Sequence, residues 1–205
     1  MTPVGAVLDA LFRLSRTRAN YWLEFVLDAA LGAAFLVAGI RGQVAPLSAA
    51  LLLCLGLFVF SFMEYVFHRW LFHGWPPFLA KGHATHHADP RGYDSLPFFL
   101  PALVLFCAAG AGALLMPAAA AWLIASGIAF GYITYGLSHF MIHHGRFSRP
   151  RIRRWAAHHR IHHHHPESNF GVTSPLWDVL LGTRYVPLRS TAAASARNAS
   201  DTSTR

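Results

Sequence analysis

The sequence predicts an all-α integral membrane fold, with four transmembrane helices and a histidine-rich helical cap. Three features predict it. The apolar fraction is 54% and the mean hydropathy is +0.36, both high for a soluble chain of 205 residues. Four apolar stretches approach the roughly 20 residues that a helix needs to cross a bilayer. All 14 histidines fall between His68 and His165, in and just after the ends of those stretches. The net charge of +8 does not indicate nucleic acid, because the arginines bracket apolar segments and are not interleaved with a polar binding surface. Cys54 and Cys107 sit inside apolar runs, which excludes a disulfide framework or a cysteine-held zinc.

Along the chain, residues 1–20 form an N-terminal interfacial helix. Val4, Val7, Leu8, Leu11 and Phe12 share one face, and Arg13, Arg16 and Arg18 close the segment. No positive region precedes its apolar part and Asp9 interrupts it, which argues against a signal peptide. A catalytic membrane domain then runs over residues 21–187. Its first span, Tyr21 to Ile40, carries Glu24 and Asp28 on one face; they are either a proton or ligand site or, the reading favoured by their place at a helix N-terminus, partners of a nearby arginine. The second span runs from Pro46 to Phe67 and delivers His68 at its end. Glu64 lies one turn before His68, placed either to orient that ring or to pair with a basic side chain.

Proline and glycine punctuate Trp75 to Pro97, which reads as a loop with a short helical turn around His83 to His87. Two further spans, Phe98 to Met116 and Ala118 to Phe140, meet at Pro117 and form an antiparallel hairpin. A short helix covers Leu176 to Leu181, between the start signal Ser174-Pro175 and the stop at Gly182. Residues 188–205 have the Ala, Ser and Thr composition of a disordered tail. Four spans put the basic N-terminus, the 68–96 loop and the basic tail after Gly145 on one side, the cytoplasmic one. Every histidine cluster falls on that side. The basic run Arg146, Arg149, Arg151, Arg153, Arg154 and Arg160 is a positive-inside anchor, or a surface for anionic lipid or an acidic electron donor.

The histidines carry the chemistry. Spacings of three and four residues place two imidazoles on one helical face, and His83-x-x-His86-His87 and His159-x-x-His162-His163 repeat one pattern, with His139 and His143 four apart. His68 and His73, five apart, pair loosely on a regular helix. These ten positions exceed the about four to six ligands that one ion accepts, so two metals are implied. Imidazole suits iron, zinc, copper and nickel alike. The block His162 to His165 also has the look of a metal-scavenging tract, and His144, His158, His164 and His165 have no assigned place. A non-catalytic metal-binding membrane protein is the competing class, but transport predicts ionisable ligands deep in the spans, whereas these cluster at the ends.

The ordered set Glu64-x3-His68-Arg69-x3-His73, His83-x2-His86-His87, Tyr135-x3-His139-x3-His143-His144-Gly145, His159-x2-His162-His163, Phe170-Gly171-Val172-Thr173-Ser174 and Trp177-Asp178-x3-Gly182-Thr183 resembles the fatty acid hydroxylase superfamily, closest to its fatty acid 2-hydroxylase branch. The resemblance covers residues 60 to 185. It implies a membrane di-iron oxygenase that hydroxylates a lipid chain with molecular oxygen and supplied electrons. The implied iron ligands are His68, His73, His83, His86, His87, His139, His143, His159, His162 and His163, with Glu64, His144 and Asp178 as candidates to support them. Zinc competes for the same imidazoles in purified protein. Nothing in the chain resembles the cytochrome b5 domain often fused to this branch, so a cytochrome b5-like or ferredoxin-like donor with its reductase is an implied partner. The sterol desaturases and carotenoid hydroxylases share the histidine plan; the Phe170 to Thr183 stretch favours the 2-hydroxylase branch.

Overall fold

The structure, a computed structural model, describes residues 3–187; the expected disordered tail lies outside them. Eight α-helices follow in order: α1 (Pro3–Ser15), α2 (Arg18–Arg41), α3 (Pro46–Val66), α4 (Pro77–Ala88), α5 (Leu100–Leu115), α6 (Ala118–His144), α7 (Pro150–His162) and α8 (Leu176–Leu180). No strand occurs among the described residues. A π-helical segment, Phe67–Phe72, continues α3 without a break.

Three helices are long and apolar enough to cross a membrane: Arg18–Arg41, Pro46–Phe72 and Ala118–His144. Their outward faces are apolar and open, with Val26, Ile40, Leu47, Leu51 and Phe58 exposed. Such a surface requires lipid around it, so the chain is a membrane protein. The fourth expected span differs in length. Helix α5 has 16 residues, about 24 Å at the α-helical rise and short of a full hydrocarbon core.

Helix α6 is central, packing against α2, α3 and α5. That explains its composition: Ala121, Ala125, Ser126, Gly127, Ala129 and Gly131 are all buried, because only small side chains let helix axes approach closely on several sides. The tightest crossing is with α3. A Cβ at Gly127 would lie 2.3 Å from the Leu53 carbonyl oxygen and 2.9 Å from Gly56 Cα. Ser126 donates to the Gly32 carbonyl of α2 at 2.9 Å, and a cluster of Phe35, Ala109 and Ala125 joins α2, α5 and α6.

The acidic pair on α2 does not meet an arginine. Glu24 accepts a hydrogen bond from the Tyr132 hydroxyl of α6, while its second oxygen and both Asp28 carboxyl oxygens are buried without a hydrogen-bond partner. These side chains face α6, since residues at that register of α2 pack inward. One arginine of this region, Arg16, pairs instead with Asp94 at 3.1 Å. With the Asn20 amide, which donates to the Leu96 carbonyl at 2.7 Å, that pair ties the 89–97 loop to the start of α2.

Candidate metal centre

The ten spaced histidines arrive from four places: the π-helical continuation of α3, α4, the end of α6 and the end of α7. They form two sets. His68, His73, His83, His87 and His162 make one, and His86, His139, His143, His159 and His163 the other; within each, one ring nitrogen per residue lies within 4.8 Å of all the others. The two H-x-x-H-H motifs are used reciprocally. Helix α4 gives its four-apart pair His83 and His87 to the first set and His86 to the second, while α7 gives His159 and His163 to the second and His162 to the first. Neighbours on a helix point about 100° apart, so each adjacent pair straddles the two sets. The sets adjoin, with the His87 and His163 rings stacked at 4.4 Å.

Local structure explains how each pair reaches its place. Five residues turn an α-helix about 140° past a full turn, which would separate His68 from His73. The π-helical hydrogen-bond pattern, i to i+5, returns residues five apart to one face, and the Trp75 N–H donates to the Trp70 carbonyl in that pattern at 3.3 Å. The two rings then lie 5.4 Å apart. Around His83 to His87 there is more than the expected short turn: α4 is a helix of 12 residues begun by Pro77, whose fixed φ and missing N–H suit a first helical position.

The donor atoms fit metal ions. His83 Nε2 lies 3.1 Å from His68 Nε2, 3.0 Å from His73 Nε2 and 3.0 Å from His87 Nε2. One neutral imidazole has a single N–H, so three such contacts are not three hydrogen bonds. Ligand nitrogens at right angles, each about 2.1 Å from an ion, stand about 3.0 Å apart, which matches this spacing. In the second set His163 Nε2 is 3.2 Å from both His86 Nε2 and His159 Nε2, and His139 Nε2 and His143 Nε2 are buried with no hydrogen-bond partner. Burial, and then the neighbouring imidazoles, hold His73 at about 4, His86 at about 3 and His163 at about 2. His162 is also held at about 3 by burial, which outweighs the opposing effect of its bond to the Ser168 carbonyl. Neutral rings keep the lone pair that a metal needs.

Backbone carbonyls aim two of these rings. His68 Nδ1 donates to the Phe170 carbonyl at 2.5 Å and His162 Nδ1 to the Ser168 carbonyl at 2.7 Å, which puts the free lone pair on Nε2. Asp178 holds that loop: its carboxylate accepts from the Phe170 and Gly171 N–H groups, both at 2.8 Å. Burial alone would raise the Asp178 carboxyl, but hydrogen bonds from His158, Gly171, Thr183 and Phe170 outweigh it and hold the group below its usual range. Glu64 meets neither His68 nor a basic side chain; it accepts from the Val172 N–H at 2.6 Å, the Thr173 N–H at 2.9 Å and the Thr173 hydroxyl at 2.6 Å. Both acids therefore act on the 168–173 loop and reach the rings through it. His144 stands apart from both sets, exposed, with Nδ1 on the Phe140 carbonyl at 3.1 Å and its ring stacked on Phe140.

Several residues have places that the sequence did not assign. His158 lies outside both sets and donates to Asp178 at 2.9 Å. Asn169, at φ +57°, ties the loop to the His158 carbonyl and the Tyr185 N–H; asparagine tolerates that backbone better than most residues. Arg160 reaches back to the Ile142 and Gly145 carbonyls at the end of α6. His165 stacks on Tyr185 away from the sets.

Residues 53–183 match the model of the fatty acid hydroxylase family, and this interval contains all ten clustered histidines. The chain belongs to that family. Among its curated relatives it is 32% identical over 141 residues to the dihydroceramide fatty acyl 2-hydroxylase FAH1 of Arabidopsis thaliana, 63% of this chain and 58% of that protein. It is 34% identical over 155 residues to the ceramide very long chain fatty acid hydroxylase SCS7 of Saccharomyces cerevisiae, 69% of this chain and 40% of that protein, and 33% identical over 144 residues to human fatty acid 2-hydroxylase, 64% of this chain and 39% of that protein. The matched stretch thus spans less than two thirds of each relative. A solved structure described as full-length Scs7p, with only its hydroxylase domain visible, superposes with a TM-score of 0.74 at 28% identity, covering 87% of this fatty acid hydroxylase family chain and 72% of the other.

Proposed function

We propose that this chain is an integral membrane di-iron oxygenase that hydroxylates an aliphatic C–H bond of a fatty acyl lipid. The balance is R–H + O2 + 2e− + 2H+ → R–OH + H2O, with both electrons supplied by an external donor protein. The observation that carries it is the pair of adjoining five-imidazole sets, each with converging nitrogens at metal-ligand spacing. The relatives, named as fatty acyl and ceramide fatty acid hydroxylases, support the substrate class.

Two irons held there supply the oxygen activation that no side chain provides for an unactivated C–H bond. The chain's own work is to hold ten rings neutral and aimed. The carbonyls of Phe170 and Ser168 fix two tautomers, and Asp178 and Glu64 fix the loop that presents those carbonyls. On the topology side, α5 acts as a fourth, short or locally bilayer-thinning span in a hairpin with α6. The positive-inside rule then places both termini and the metal site in the cytoplasm, with residues 1–20 lying in the interface, 21–187 as the catalytic domain and 188–205 as a tail.

The test is product analysis. Protein in lipid nanodiscs is loaded with iron(II) and given a fatty acyl lipid, a reductase with ferredoxin or cytochrome b5, and isotope-labelled molecular oxygen. A hydroxylated lipid carrying one labelled oxygen atom is the expected product. A desaturated lipid, or label-free product, would sink the hydroxylation reading.

A further inference from the structure

Helix α7 has two faces of opposite character. Ala156, His159 and His162 are buried on one, and Arg153, Arg154, Ala157 and Arg160 are exposed on the other, at the three- and four-residue spacing of a single helical stripe. This outer stripe lines an open cavity of about 650 Å³ between α7 and Phe147. No acidic residue occurs between Gly145 and Pro166, and among the described residues neither Arg153 nor Arg154 has an ion-pair partner. The positive charge is therefore uncompensated among the described residues.

A membrane surface is the other natural destination for such a stripe, but the apolar side chains lie elsewhere. Among the described residues, none between 142 and 175 is an exposed large hydrophobe, whereas α8 exposes Leu176, Val179 and Leu180 and α1 exposes Val7 and Leu8. A helix resting in the headgroup region presents an apolar face beneath its charges. Helix α7 instead spends that face on the histidine sets, leaving an exposed charged surface with no apolar side chain of that size beneath it. From the arginines to the histidines of α7 the path is the thickness of one helix, about 10 Å.

We propose that the outer face of α7 is the docking surface for an acidic one-electron carrier protein. This rests on the oxygenase reading above, which needs two electrons per O2 from outside the chain. Each docked carrier is oxidised by one electron, so two carriers are consumed for each R–H and O2 converted, with two protons, to R–OH and H2O.

The experiment compares wild type with Arg153→Glu/Arg154→Glu and Arg153→Gln/Arg154→Gln in nanodiscs of neutral lipid. The readouts are the affinity for a soluble cytochrome b5 domain and for a ferredoxin, the KM for each carrier, and turnover with dithionite as a small reductant. The expected result is a carrier Kd and KM raised about tenfold or more by charge reversal and less by neutralisation. Wild-type affinity should fall with added salt, and dithionite-driven turnover should stay at the wild-type level. Carrier parameters within about twofold of wild type, or no wild-type affinity for either carrier, overturn the proposal. So does a loss confined to binding of phosphatidylserine vesicles. If the reversed variant fails to fold, the neutralised variant and the salt dependence of wild type decide by the same criteria. Carrier binding that is salt- and arginine-dependent, with no lipid product under either reductant, leaves the docking site standing and removes the oxygenase.

Discussion

His86 shows how much one side chain carries. It sits on α4 within the second set, its Nε2 3.2 Å from His163 Nε2, and its ring 4.4 Å from His139 and 4.9 Å from His143. His86→Ala removes one of five nitrogens from the second set and leaves the membrane helices untouched. We expect bound metal to fall from about two ions per chain toward one and hydroxylation to drop at least about 100-fold, the upper range for losing a mere supporting partner. Helix content by circular dichroism should be unchanged. His165→Ala, a ring half-exposed beside Glu167, should stay within about twofold of wild-type activity. Full activity in the His86→Ala protein at normal expression would remove His86 from the site.

At the scale of elements, two devices set the geometry. The π-helical segment after α3 spends one extra residue per turn to bring His68 and His73 to one face. The second device is the α3–α6 crossing, which carries His68 and His139 on helices that touch at Gly56 and Gly127. Gly127→Ala drives a methyl into the Leu53 carbonyl and Gly56. Overpacking of this kind costs about 1–3 kcal/mol, so the thermal midpoint in detergent should fall by roughly 2–10 °C. Gly110→Ala on α5, where a Cβ meets nothing within 4 Å, is the control and should not lower it. Equal midpoints for the two variants would show that the crossing tolerates a wider separation.

For the whole molecule, the ten converging imidazoles make folding and metal binding one equilibrium. Each ion that binds only the folded chain stabilises it by about 2.7 kcal/mol at a hundredfold excess over Kd, so chelating two should lower the midpoint by roughly 10–20 °C. Acid should act in the same direction. The folded values of about 4 for His73 and about 3 for His86 and His162 lie below the unfolded value of about 6.5. Between those limits the unfolded chain binds more protons, so the stability these rings confer is complete above about pH 6.5 and is lost as the pH falls toward 4. Thermal melts of chelated protein between pH 7.5 and 4.5 check this. A midpoint that is flat or rises on acidification would contradict the burial of those rings.

What the sequence determined by itself was local. Hydropathy along the chain marked the apolar helices, and the spacing of imidazoles at three, four and five residues picked out the ten that converge, because helical period and side-chain chemistry are written in short windows. The resemblance carried by the same residues named the family. Tertiary structure decided what depends on helices meeting. It split the ten rings into two fives that each take one member of an adjacent pair. It sent Glu64 and Asp178 to the backbone of the 168–173 loop, and it buried Glu24 and Asp28 against α6 without an arginine. Partners such as Glu64 and Val172 are separated by 108 positions. Their contact is set by interhelical angles and loop closure, which no local pattern encodes.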